Sequence, residues 1–168
     1  MSTATGASGL RIEEAREVDV PLILSFIKEL AEYERMAHEV RATVELLRES
    51  LFGERAMAEV RIAYDDERAV GFALFFHNFS TFMGRPGIYL EDLYVQPHAR
   101  GKGVGRALLA DLARLAKERG CARLEWAVLD WNEPAINFYK GLGAVPMDEW
   151  TIFRVTGDSL DALAAKAR

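Results

Sequence analysis

Six residues near the middle of the chain, Arg100-Gly101-Lys102-Gly103-Val104-Gly105, restrict its fold more than any other stretch. Three glycines at alternate positions leave a backbone that no side chain shields, and an amphipathic run begins at Val104. A helix starting there adds N–H groups without intrahelical partners and the positive end of a dipole. A loop of this kind running into such a helix makes a cradle for phosphate. Arg100, Lys102 and Arg106 crowd the turn, and no acidic residue stands between Asp92 and Asp111, in a protein of net charge -5. The positive charge is therefore local. Taken alone, the loop also reads as a charged, glycine-capped surface turn.

Spacing separates two other phosphate loops from this one. A Walker loop needs Gly-Lys followed by Ser or Thr, and Lys102 is followed by Gly103. A dinucleotide fingerprint needs G-x-G-x-x-G tight against a strand, whereas this loop is G-x-G-x-G and stands apart from the preceding apolar run by 96–100. Asp130, after the next apolar run, is the feature that keeps a dinucleotide reading open.

The Arg100-Gly101-x-Gly103-x-Gly105 pattern after a strand ending in Val95 resembles the coenzyme A pyrophosphate loop of the GNAT acetyltransferases. Three further blocks resemble the diamine (spermidine/spermine) and thialysine N-acetyltransferase branch: Glu29-Leu30-Ala31-Glu32-Tyr33-Glu34, Tyr89-Leu90-Glu91-Asp92-Leu93-Tyr94-Val95, and Trp131-Asn132-Glu133-Pro134-Ala135-Ile136-Asn137-Phe138-Tyr139-Lys140. The likeness covers about 11–154. It implies a mixed α/β fold, with a mostly antiparallel central sheet flanked by helices and a parallel strand pair that splays apart. In that fold the acetyl-CoA arm lies in the gap, paired with backbone of Leu93 and Val95. Amides of Arg100, Gly101, Lys102, Gly103, Val104, Gly105 and Arg106 hold the diphosphate, and Asn132 touches the arm. The resemblance also implies a homodimer, with 151–155 contributing to the interface.

Composition agrees with one globular domain over 10–168 and a loose tail over 1–9, since 168 residues suffice for one core. The first nine residues have neither a basic start nor an apolar centre and do not read as a signal peptide. The longest apolar run, 69–76, is far short of the roughly 20 residues of a membrane span. A single cysteine, Cys121, excludes an internal disulfide and reads as a core residue opening a strand. No Cys/His cluster has metal spacing, which favours a reducing, cytoplasmic setting. The acidic balance argues against nucleic acid and suits a cationic substrate.

Periodicity predicts strands over 10–15, 56–64, 69–76, 88–95 and 121–128, with more strand at 151–155. It predicts a helix opened by Val18-Asp19-Val20-Pro21, others from Thr43 as a cap, over 104–119, and from Asn132 as a cap; a weak helix starts at Ser159. The turn at 65–68 suggests a hairpin, 78–87 reads as a loop, and strand, helix, strand around 104–119 implies a parallel crossover.

By resemblance, Glu91 takes the proton of the acceptor amine, through water, and Asp92 holds its cation. Strand alternation sets these two carboxylates on opposite faces. Tyr33 and Glu34 match positions that approach a polyamine. The resemblance implies that Tyr139 is the acid that protonates the departing thiolate, although its stripe with Ala135, Phe138 and Leu142 also fits a buried tyrosine. Polyamine-specific members carry an acidic residue and a tryptophan where Ser80 and Phe82 stand here, which moves the expected acceptor toward lysine-like amines. Transfer to a protein N-terminus or an aminoglycoside, and a non-catalytic acyl-CoA sensor, are the alternatives.

Overall fold

Four strands follow one another antiparallel, and a fifth joins the last of them in parallel. They are β1 (Leu10–Glu14), β2 (Glu59–Asp65), β3 (Arg68–Ser80), β4 (Arg85–Val95) and β5 (Leu124–Trp126), in the order β1-β2-β3-β4-β5. This computed structural model describes residues 9–168. The tail expected over 1–9 lies outside them apart from Gly9, whose carbonyl accepts a 2.9 Å hydrogen bond from the N–H of Asp66. Helices α1 (Val20–Tyr33), α2 (Val44–Phe52) and α3 (Val104–Glu118) complete a unit that ends at Leu129. Asp130–Arg168 forms a second unit, with α4 (Glu133–Gly141) and α5 (Gly157–Ala164).

Each sheet face buries a different set of side chains. On one, Phe26 of α1 stacks on Phe72 of β3 at 5.6 Å between ring centroids, and Ile23, Val60, Ile62 and Tyr94 pack around them with Leu51 of α2. Truncating either stacked phenylalanine would cost about 3–5 kcal/mol. On the other, α3 buries Val104, Leu108, Leu112 and Ala116. Arg61 of β2 fixes α3 against the sheet through Asp111, Nε to Oδ2 at 2.7 Å. Burial alone would raise the Asp111 carboxyl, but hydrogen bonds from Arg61 and Arg114 outweigh it and hold the group below its usual range.

The hairpin between β2 and β3 turns through Asp66 at φ 53, a left-handed position that aspartate tolerates. The loop expected over 78–87 is mostly strand, and only 81–84 turn. Asn78, Pro86 and Gly87 are weak strand formers, yet the pairings Asn78↔Gly87 and Ser80↔Arg85 carry the ladder to its tip, because cross-strand contacts override propensity. Thr43 caps α2 as predicted, its hydroxyl accepting from Leu46 N–H at 3.2 Å.

The strand expected over 121–128 shortens to Leu124–Trp126 because the end of α3 uses the residues before it. Gly120 turns at φ 69, its N–H reaches Lys117 O at 3.2 Å, and Cys121 N–H reaches Ala116 O at 2.8 Å. This pair of bonds closes the helix in a Schellman motif. Cys121 is consequently half-buried at a helix end rather than a core residue opening a strand.

In the second unit, 151–155 form no strand. Their apolar side chains face solvent, with Ile152 74% and Phe153 90% exposed. A strand-prone segment without a neighbouring strand cannot satisfy its backbone in a ladder and stays irregular. Among the described residues no helix is long and apolar enough to cross a membrane.

Candidate active site

The site is set by where β4 loses its neighbours. β5 pairs with β4 only at Ile88↔Leu124, Tyr89↔Glu125 and Leu90↔Trp126. Beyond Leu90 no described strand continues the sheet on that side, and the backbone of Glu91–Val95 is left with an unpaired edge. Leu93 and Val95 lie on this stretch, opposite Ala73 and Gly71 of β3.

The other edge of β4 changes register at the same point. Leu74 faces Asp92 while Phe75 faces Leu90, so Glu91 is an extra residue on β4, a β-bulge. Its effect is chemical. Leu74 packs on the core beneath α1, so Asp92 opposite it faces α1 as well. Leu90 faces away, opposite Phe75, and alternation turns Glu91 to the α1 side too. The expectation that Glu91 and Asp92 lie on opposite faces is therefore wrong. Both line a cavity of about 350 Å³ under the end of α1.

Glu34 joins them there. It follows Tyr33 at the end of α1, and Arg35 behind it adopts φ 61, bending the chain so that Met36, Glu39 and Arg41 close the rim. Burial raises the Glu34 carboxyl, and Glu91 adds to the effect. Asp92 is affected more: burial, then Glu91, then Glu34 push it up to about 6. With Glu39 on the rim, four carboxylates line this one cavity, a charge arrangement that can hold a cation. Among the described residues, no three His, Cys, Asp or Glu side chains are grouped to hold a metal ion.

The glycine loop lies just past the end of β4. Gly101 and Gly103 have φ 78 and 84, and a Cβ on either would meet nothing within 4 Å. The glycines are therefore required by backbone conformation, and the space before them is open. Gly103 begins α3 without a side-chain cap, so the first-turn N–H groups, those of Val104, Gly105 and Arg106, point outward without intrahelical partners. Lys102 and Arg106 are exposed beside them. This arrangement fits a diphosphate.

Arg100 does something else with its side chain. Its Nε donates to the Val95 carbonyl at 2.9 Å, and its guanidinium lies 4.9 Å from the Tyr33 ring centroid and 5.7 Å from that of Tyr94. Tyr33 therefore sits against Arg100 and is not among the residues lining the cavity. Ser80 closes the β3–β4 turn, its hydroxyl accepting from Met83 N–H at 3.3 Å, and Phe82 is fully exposed. Glu91 lies six positions beyond Arg85, the partner of Ser80, about 20 Å along the strand, and neither Ser80 nor Phe82 lines the cavity.

Asn132 and Tyr139 belong to the second unit. Asn132 is buried and caps α4, its Oδ1 accepting from Ala135 N–H at 3.4 Å. Tyr139 is half-buried on α4 with its ring 5.6 Å from that of Phe138. Glu39 and Arg41 of the rim carry no sequence signal, because they lie in an irregular connection with no periodicity to mark them.

Comparison with known proteins bears on this geometry. The chain matches the acetyltransferase (GNAT) family over residues 24–144. It is 40% identical over 167 residues to a thialysine N-epsilon-acetyltransferase of Mus musculus, covering 93% of this chain and 98% of that protein. It is 31% identical to the L-ornithine N5-acetyltransferase NATA1 of Arabidopsis thaliana, covering 91% of this chain and 87% of the relative. Among solved structures, an integron cassette protein from the mobile metagenome of V. cholerae superposes with a TM-score of 0.78 at 30% identity, over 96% of this chain and all of that one. A match of this extent, on a sheet whose parallel pair opens beside a glycine cradle, makes the chain a member of the acetyltransferase (GNAT) family and an acetyltransferase enzyme.

Proposed function

We propose that this enzyme transfers the acetyl group of acetyl-CoA directly to the primary amine of a small cationic metabolite, with lysine-like amines and short diamines ahead of spermine. The observation that carries the reading is the convergence of Glu34, Glu91 and Asp92 on one cavity where β4 loses its neighbours. The names of the mouse and plant relatives, a thialysine and an ornithine acetyltransferase, support the acceptor class. The Ser80 and Phe82 positions no longer do, because they stand apart from the cavity. The family match over 24–144 runs from the first unit into the second, which supports one catalytic domain over 10–168.

An alkyl amine with a pKa near 10.4 is almost wholly protonated at pH 7, and freeing its lone pair corresponds to about 4–5 kcal/mol. Asp92 and Glu34 hold the ammonium. Glu91, exposed at the cavity and turned into it by the bulge, accepts the proton through water. Acetyl-CoA supplies the thioester. The Gly101–Arg106 amides take its diphosphate, Leu93 and Val95 offer backbone to its arm, Asn132 contacts that arm, and Tyr139 donates a proton to the leaving sulfur.

Homodimerisation belongs to the same proposal. Trp150, Ile152 and Phe153 expose large apolar surface on a segment that lacks a strand partner, and a second copy would supply one. Light scattering at micromolar concentration should give twice the chain mass. A fully active monomer would contradict this.

Three measurements address the chemistry. Acetyl-CoA should raise Tm, and Gly103→Val, forced into a left-handed φ that valine resists, should weaken acetyl-CoA binding; unchanged affinity in a folded variant sinks the cradle. Asp92, held near 6 when folded against an ordinary value near 3.9, binds its proton more tightly in the native than in the unfolded state. Stability therefore falls as pH rises from about 4 to 6, by an order of 2 kcal/mol. Asp92→Asn should melt several degrees higher than wild type at pH 8 while raising KM for diamines, and a variant that melts lower there refutes this account. Tyr139→Phe keeps the ring, so as a proton donor it should cost about 10² to 10⁴ in kcat with KM for acetyl-CoA within a few fold. Wild-type kcat with a loss of about 1–3 kcal/mol in stability would mark a packing residue instead.

A further inference from the structure

The cavity lined by four carboxylates also has one cation on its rim. Arg41 lines it together with Glu39, two residues before it on the connection that follows α1. The Arg41 guanidinium makes one hydrogen bond, Nη1 to the His38 carbonyl at 2.9 Å, which occupies one of five donors. Among the described residues no carboxylate lies within ion-pair distance of it, although Glu34, Glu39, Glu91 and Asp92 all line the same cavity. The Glu39 carboxylate pairs with His38, Oε1 to Nε2 at 3.3 Å.

A site built solely for diamines gains nothing from this guanidinium, since a second ammonium at the rim would be repelled by it. An α-amino acid with an amine-terminated side chain has the complementary charge pattern: an ammonium at the far end, and at the near end a carboxylate beside a second ammonium. We propose that Arg41 is a specificity residue that binds the α-carboxylate of an amino acid acceptor, with Glu39 taking its α-ammonium, while the side-chain amine extends to Glu91 and Asp92. This deepens the acceptor reading above and rests on it. It makes the rim a filter for zwitterions: a diamine enters the carboxylate end equally well and forfeits the rim contact.

The test compares lysine, lysine methyl ester and 1,5-diaminopentane as acceptors for the full-length wild type and for Arg41→Gln. All three present a primary amine on a similar chain, and only lysine carries the carboxylate. Wild type should favour lysine over the other two in kcat/KM. Arg41→Gln should raise KM for lysine by about 10- to 100-fold, the range expected for losing a charge-assisted contact, with kcat nearly unchanged. Its KM for the ester and the diamine should stay within a few fold or fall. Because Arg41 is exposed and bonded only to a carbonyl, Tm of the variant should match wild type. A wild type that prefers the diamine, or a variant that loses all three acceptors equally, overturns the assignment of Arg41 and leaves the acetyltransferase reading standing. A wild type that binds acetyl-CoA and acetylates none of the three overturns the small-amine reading, and the Arg41 proposal with it.

Discussion

A parallel strand pair that stops after three residues leaves a stretch of β4 with polar backbone and no ladder on one side. In a buried sheet such groups would be costly, at about 1–3 kcal/mol each when left without a partner. Here they face a gap at the sheet's edge, where something other than a strand can meet them. The bulge at Glu91, the carboxylate cavity and the glycine turn all lie within a few residues of that gap. The Schellman closure of α3 shortens β5 from its start, and the chain leaves the sheet after Trp126.

The rest of the first unit stiffens this break. Phe26 and Phe72 stack under α1, and the Arg61–Asp111 pair ties α3 to β2 on the opposite face. Arg100 links the two ends of the site, since it holds the Val95 carbonyl and covers Tyr33 and Tyr94. In sequence it groups with Lys102 and Arg106 as positive charge around the turn. The structure uses its side chain as a brace on Val95, Tyr33 and Tyr94, whereas Lys102 and Arg106 stand exposed beside the first-turn N–H groups.

Much of the architecture is legible in sequence, for identifiable reasons. Helical periodicity in α1 and α3, the Thr43 and Asn132 caps and the polar turn at 65–68 are local signals, and the structure follows them. What escapes is non-local. Alternation cannot reveal the bulge, because an inserted residue shows only against its partner strand, and this misplaced Glu91 relative to Asp92. Asn78, Pro86 and Gly87 look like loop until the facing residues are known. Residues 151–155 look like strand until it emerges that no strand among the described residues pairs with them. Arg41 and Glu39 were invisible because a binding rim in an irregular connection has no period.

The crowding of negative charge around Asp92 has a practical side. On the proposed reading, the repulsion that raises the Asp92 carboxyl is relieved by a buffer ammonium as well as by a substrate amine. Protonated Tris, ethanolamine or imidazole at the tens of millimolar common in purification would occupy the cavity, relieve the repulsion and raise the melting point. A ligand screen run in such a buffer would report weak hits throughout, whereas the same screen in phosphate would press on the glycine turn instead. The choice between an amine buffer and an anionic one therefore decides which half of the binding surface is seen.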